Sequence, residues 1–344
     1  MCLRRIFVCC LAVCFLTLGC SSKKEKTGGI SGQVGVVESA TASLTANPLS
    51  LNGLNDERFS FTPTSLKINA SVVCAAESIE ASTSGANTSG REVNVPINKE
   101  IELIGQTAFT ALAQGSVDDV TEDKFGSYSA VKFLHAGTVK TSGTVMVAGE
   151  TYTFSDLEVG MTSTGIAVGM PISVTLDANT SPTVNVFFDV SDALFLVNST
   201  VYRFPTAALI PGTDISVVAE NLQFIPYVGT DTPTFKKFKI VVADQDYFYL
   251  RLSVLLNTAG QTVGGVWNTI FTGTSPPTDS EWGPCQLNSN GITENADGSY
   301  ALSTYSGGSC PQSRVLTFAA FKFEDHSGTL THGGTNYSYV ATAL

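Results

Sequence analysis

Basic residues are scarce in this chain. Nineteen Lys and Arg stand against thirty Asp and Glu, giving a net charge of −11 and a pI near 4.7. The electrostatic footprint of a nucleic-acid binder is missing, which removes DNA and RNA as partners. Charge of either sign is thin at 14%, and long Glu/Lys/Leu-rich stretches are absent, which argues against helical bundles and coiled coils. Only three histidines occur, His135, His326 and His332, so any histidine-based triad must draw on one of them. No Gly-x-Ser-x-Gly pentapeptide, no His-Glu-x-x-His and no Cys-x-x-Cys is present. What the 344 residues do contain is 43% apolar side chains, 31 Gly and about one-fifth Ser and Thr. That mixture favours strands and turns, in one large or two ordinary domains.

The N-terminus reads as an address. Arg4 and Arg5 precede an apolar run over residues 6–18, about 20 Å long as a helix and so short of a ~30 Å bilayer core. Residues 1–19 are therefore expected to be a signal peptide and not a permanent span. The tail Leu16-Thr17-Leu18-Gly19-Cys20 resembles the bacterial lipoprotein lipobox, with Thr17 where that family most often has Leu. The resemblance implies cleavage before Cys20, a diacylglycerol (and palmitate) on its sulfur, and a membrane as partner. Ser21 after the cysteine resembles the outer-membrane sorting pattern, which implies an outer-membrane lipoprotein on the periplasmic or surface face. The alternative is an ordinary secretory signal cleaved nearby. Lys23, Lys24 and Lys26 then serve either an anionic headgroup surface or solubility.

Five of the eight cysteines lie in those first twenty residues, leaving Cys74, Cys285 and Cys310. Export to an oxidising compartment suits them. Cys285 and Cys310 flank a Gly/Asn/Ser-rich excursion of low core potential, so a disulfide between them is expected, contributing about 3.5 kcal/mol through loop closure. Cys74 sits in an alternating stretch and reads as a buried free thiol.

Residues 20–58 are poor in large apolar side chains and read as lipidated cysteine plus flexible tether. Beyond them, short alternating runs occur at 66–73, 93–97, 127–133, 144–147, 151–154, 172–176, 184–190, 201–204, 215–219, 235–242, 247–256, 315–323 and 337–341. One short helix is expected over 106–114, where Phe109 and Leu112 fall three apart. The absence of alternating helices excludes parallel crossover folds. The expected class is all-β: one-sided antiparallel sheets in a β-sandwich, immunoglobulin-like or similar, with two β-rich domains at 59–205 and 206–344. The split is placed where Pro205 and Ile210-Pro211-Gly212 break the strand rhythm.

Two further resemblances bear on fold alone. Asn295-Ala296-Asp297-Gly298-Ser299-Tyr300 carries a hairpin signal similar to the turn of many bacterial immunoglobulin-like modules, because Asp and Gly tolerate positive φ. Between residues 101 and 190, Ile101-Glu102-Leu103-Ile104, Gly126-Ser127-Tyr128 and Val184-Asn185-Val186-Phe187-Phe188-Asp189 resemble, in order, an uncharacterised β-sandwich domain of bacterial lipoproteins. Such a likeness implies architecture without chemistry.

Candidate chemistry is sparse. His326 and His332 across Ser327-Gly328 suit a hairpin pair beside Glu324 and Asp325, either as metal ligands or as exposed polar residues. His135 reads as a structural strand-end residue. Ser129-Ala130-Val131-Lys132 and Lys140-Thr141-Ser142 resemble penicillin-recognising motifs in form, but those need Ser and Lys one helical turn apart, and this stretch alternates as a strand. Asp118, Asp119, Glu122, Asp123, Asp244 and Asp246 offer calcium-type oxygens or simply solvated loop charges. Trp267, Trp282, Tyr247, Tyr249, Tyr300 and Tyr305 make either a sugar-stacking surface or core. The resulting expectation is a non-catalytic envelope lipoprotein with no catalytic residue, metal or cofactor, binding a protein or polysaccharide through loops. The alternative is a polysaccharide hydrolase using Asp119 and Glu122.

Overall fold

The computed structural model describes residues 27–39, 59–61, 63–80, 87–147, 149–161, 166–191, 193–200, 206–219, 222–245, 248–271, 285–286, 293–303 and 315–344. The architecture is all-β, built from sheets whose pairings are almost all antiparallel. No helix among the described residues is long and apolar enough to cross a membrane.

The middle layer begins with a segment the sequence presents as tether. Residues 28–36, Gly-Gly-Ile-Ser-Gly-Gln-Val-Gly-Val, form β1 (Gly28–Val36), an interior strand. On one side it pairs antiparallel with β5 (Ala113–Val120), and on the other parallel with β9 (Thr183–Asp189). The far side of β9 takes β13 (Gln223–Val228), antiparallel. The glycines that make β1 look like linker are what let it sit here. A Cβ on Gly28 would lie 2.3 Å from the Asp177 carbonyl oxygen, and one on Gly32 would lie 3.1 Å from Val73. Within the tether expected over 20–58, residues 28–36 are instead a core strand, and the β1–β9 pair is a parallel one within the antiparallel architecture expected.

Against one face of this layer lies a five-stranded sheet. β3 (Ser65–Glu80) pairs with β4 (Asn87–Glu102) on one side and β6 (Gly126–Val147) on the other. The free side of β6 is shared: β8 (Ile166–Leu176) pairs with its first half and β7 (Glu150–Gly160) with its second. The runs expected at 127–133 and 144–147 are thus one strand of 22 residues. Between the two sheets Ile30, Val34, Val73, Val95, Val131, Phe133, Val186 and Phe188 are buried. Each such side chain contributes roughly 1.5–3 kcal/mol relative to exposure.

A third sheet, β2 (Phe59–Ser60), β10 (Leu194–Asn198), β11 (Ala208–Leu209) and β12 (Ile215–Ala219), runs in the order β11-β12-β10-β2 and adds Leu194, Leu196, Ile215 and Val217 to the same core. It overturns the boundary expected at 205/206. β10 precedes that point, β11 and β12 follow it, and β9 pairs with β13 across it. Chain punctuation at Pro211-Gly212 marks a hairpin within a sheet, with Gly212 at φ 82°, and not a linker.

The second core starts with β14 (Thr234–Val242). It belongs to a nine-stranded sheet with β15 (Phe248–Leu256), β16 (Thr262–Phe271), β17 (Cys285–Gln286), β18 (Thr293–Glu294), β19 (Tyr300–Ser303), β20 (Leu316–Phe321), β21 (His326–His332) and β22 (Thr335–Ala343). The order is β17-β16-β15-β14-β22-β21-β20-β19-β18. Leu252 of β15 and Leu302 of β19, four strands apart in sequence and five places apart in the sheet, share one core with Phe238, Phe318 and Phe321, so the sheet curls on itself. The Asn295–Ser299 hairpin is present: Asn295 N–H donates to the Ser299 carbonyl (2.7 Å), and Gly298 alone takes positive φ, 79°.

The opposite face of β15 turns towards the middle layer. Leu255 and Val266 pack on Phe187, Ile225 and Tyr227. β9 and β15 are therefore buried on both faces, unlike the one-sided sheets expected.

The helix expected over 106–114 is not formed. Phe109 N–H and Leu112 N–H donate to the Val36 and Val34 carbonyls, each at 2.8 Å, so β1 satisfies groups a helix would have paired internally. Phe109 adopts φ 56°. Among the described residues the only helical turn is Glu122–Lys124. The expected strand 201–204 lies outside the described residues.

Candidate functional site

The uncovered part of the middle layer's outer face holds a cleft of about 100 Å³. Strand alternation places its residues. Ile30, Gly32 and Val34 of β1 turn to the first core, so Gln33 turns outward, directly opposite Asn185 of β9. Thr183 and Phe187 follow on the same face of β9. One wall is the turn 229–233, Gly-Thr-Asp-Thr-Pro, which links β13 to β14. Phe109 supplies the other wall, its ring 5.2 Å from that of Phe187 and edge-on to it.

Asn185 builds the cleft more than it serves it. Its side-chain amide donates to the carbonyls of Gly229 (2.8 Å) and Tyr227 (3.3 Å), tying the turn to β9. Gly229 N–H donates to the Thr183 carbonyl (3.0 Å). The exposed groups are then Asp231, Thr230 and Thr232 over an aromatic floor, with the Gln33 amide at one side. Burial pushes the Tyr227 hydroxyl above its usual range, and the Asp231 carboxylate adds to it. Such a cleft offers hydroxyl, amide and carboxylate partners around apolar ring surface, in a volume well below the ~300 Å³ of ordinary small-molecule sites.

None of the residues considered for chemistry from sequence lines this cleft; Phe109, Asn185 and Phe187 were noted there for fold alone. Cys20 and Cys310 lie outside the described residues. Cys285 begins β17, and its side chain is likewise outside them. Asp118 and Asp119 lie at the end of β5 and Glu122 and Asp123 in the turn after it, where the Thr121 hydroxyl donates to Asp123. Asp244 occupies a turn at φ 62°. Among the described residues no group of three His, Cys, Asp or Glu is placed to hold a metal ion.

His326 and His332 are corrected as a facing pair. They stand at opposite ends of the single strand β21, about 20 Å apart at ~3.4 Å per residue, and the hairpin turns instead at Gly333-Gly334. His326 Nδ1 donates to the Glu324 carbonyl (2.8 Å), and the Tyr339 hydroxyl donates to Nε2 (2.9 Å). Burial pushes that phenol up to about 12, keeping it a donor. His135 lies within β6 and not at a strand end. Ser129 and Lys132 are both on β6, Ser129 donating to the Glu77 carbonyl (2.6 Å) and Lys132 pairing with Glu92 (3.4 Å). Of the six aromatics considered for sugar stacking, Tyr249 and Tyr300 have described side chains. Lys239 caps the Tyr249 ring at 4.8 Å, and Tyr300 packs on Phe323 at 4.6 Å.

Cys74 is a fully buried free thiol, as its alternating context implied. Comparison of the chain with protein-family models, with curated proteins and with solved structures gives no match.

Proposed function

We propose that this chain is an exported, lipid-anchored envelope protein that holds a glycan without turning it over. The lipobox-like Cys20 supports the anchoring. The observation carrying the binding role is the cleft itself, where Asp231, Thr230, Thr232 and Gln33 surround Phe109 and Phe187. Hydrolysis of a glycosidic bond ordinarily requires two carboxyl groups flanking it. Asp231 is the single carboxylate among the cleft's lining residues, and Asp119 and Glu122 are not among them. Retention is the chemistry these groups support.

The test uses the full chain in detergent micelles, titrated with peptidoglycan fragments, lipopolysaccharide core oligosaccharide and capsular oligosaccharides. Saturable binding to one of them, weakened by Asp231→Ala with no new reducing ends released, is the expected result. Asp231 is exposed and on a turn, so its replacement leaves the fold intact. Binding indifferent to Asp231→Ala, or release of reducing ends, overturns the reading.

A further inference from the structure

The position of β1 fixes which end of the body meets the membrane. We infer that the end at which β1 starts, flanked by the turns 121–125 and 177–182, is apposed to the lipid headgroups, and that the segment 104–112 faces away. This rests on the anchoring reading of Cys20 and goes beyond it, because anchoring alone sets no orientation.

The argument is one of length. Seven residues lie between Cys20 and Gly28, and the eight steps reach about 28 Å at full extension. β1 then runs nine residues through the middle layer, about 27 Å from end to end. For the opposite end to rest on the bilayer, the connection would have to run back along the whole strand at full extension, about 27 Å, against a root-mean-square reach of about 16 Å for a flexible chain of this length. A tether ending at residue 58 would have imposed no such limit.

The start of β1 is held firmly at this end. Gly28 pairs with Val120, and Gly29 N–H donates to the Thr180 carbonyl (3.3 Å). A Cβ on Gly28 would meet Phe125 at 3.2 Å as well as Asp177. Glu122, Asp123 and Asp177 make this end acidic, with Lys124 among them. Between it and the bilayer the connection carries Lys23, Lys24 and Lys26. In this orientation Lys23, Lys24 and Lys26 would offset the repulsion between an anionic headgroup layer and the acidic turns. At the other end, Phe109 and Leu112 are bonded to the carbonyls of Val36 and Val34, which places 104–112 a strand length away.

The experiment places an azide-bearing residue in place of Asn179 or of Thr107, both exposed, and couples a donor dye to each. The acylated full chain is reconstituted in phosphatidylethanolamine/phosphatidylglycerol vesicles containing an acceptor-headgroup lipid. Energy transfer from position 179 should exceed that from 107 by about twofold or more, given the strand length between them. In parallel, the mass of the N-terminal peptide and the partition of Cys20→Ser report the anchor itself. Acylated peptide with equal or reversed transfer overturns the orientation and leaves anchoring standing. Unacylated peptide, with Cys20→Ser remaining on the vesicles, overturns both.

Discussion

Arg251 of β15 and Asp189 of β9 face each other with side chains wholly shielded from solvent, Nε to Oδ2 at 3.8 Å. The pair joins the second core to the middle layer. Ser253 donates to Asp189 Oδ2 (3.0 Å), Ser191 N–H donates to Oδ1 (3.0 Å), and Arg251 Nη1 donates to the Ser191 carbonyl. Leu255 packs beside it on Phe187 and Ile225. A charge buried without its counterpart costs far more than the pair contributes, so the pair acts as a constraint on how the two parts dock.

Removal of one partner is therefore the damaging change. Arg251→Leu strands the Asp189 carboxylate and should destabilise by about 3–5 kcal/mol, whereas Asp189→Leu with Arg251→Leu should recover most of that loss. Urea unfolding of the single and double variants measures both. Equal destabilisation by the single and the double change would show that the pair does not constrain docking.

His135 links stability to pH. Burial pushes its imidazole below the ordinary 6.5, against a smaller opposing effect of its Nδ1 donation to the Ala136 carbonyl (2.6 Å). As pH falls through 6.5 the unfolded chain takes the proton first, and the folded chain does so only lower. In that window the unfolded state binds more protons, so stability declines as pH drops. His135→Gln should flatten the decline between the depressed folded value and 6.5. A slope unchanged by the substitution would assign the decline to other groups.

Cys74 should be chemically silent until the chain unfolds. It is fully buried, and desolvation first, then the Glu92 charge, raises its thiol to about 12. A thiolate-dependent reagent near neutral pH finds almost none of the reactive form. If Cys20 is acylated and Cys285 is joined to Cys310, non-reduced protein should show no titratable thiol when native and one in guanidinium. Three thiols in guanidinium would dispose of the bridge, and reaction of the native chain would dispose of the buried thiol.

Much of the second core was legible because its strands alternate: Thr335–Ala343 places Tyr339 and Ala341 inside and Val340 outside, as period two requires. Elements packed on both faces lose that signature. β15 is recognisable from its apolar run, but nothing in Phe-Tyr-Leu-Arg-Leu-Ser-Val-Leu-Leu reveals that Arg251 and Ser253 are also interior. β13 carries Pro226 and β16 carries Gly264 and Gly265, which read as interruptions. In the fold, Gly264 is where the Pro226 carbonyl comes within 2.7 Å of a hypothetical Cβ. The cleft was hidden for a different reason. Gln33 and Asn185 become neighbours only through the parallel pairing of β1 with β9, a long-range contact without local trace. The turn at 229–233 was not singled out either, because Gly-Thr-Asp-Thr-Pro carries only a loop signal and no trace of what it faces.

That same pairing yields the sharpest test of the fold. If the segment before residue 58 were a tether, deleting residues 21–36 would shorten it and leave the body unchanged. With β1 interior, the deletion strips the partner edges from both β5 and β9 and removes Ile30, Val34 and Val36 from the first core. Each of those strands would then present unpaired N–H and C=O groups next to exposed apolar surface, the situation that drives aggregation. Deleting residues 21–26 alone removes none of the described strands and should leave thermal unfolding of the body unchanged. The longer deletion should abolish cooperative unfolding or give insoluble protein. A cooperative transition surviving removal of 21–36 would mean that β1 contributes nothing essential to the middle layer.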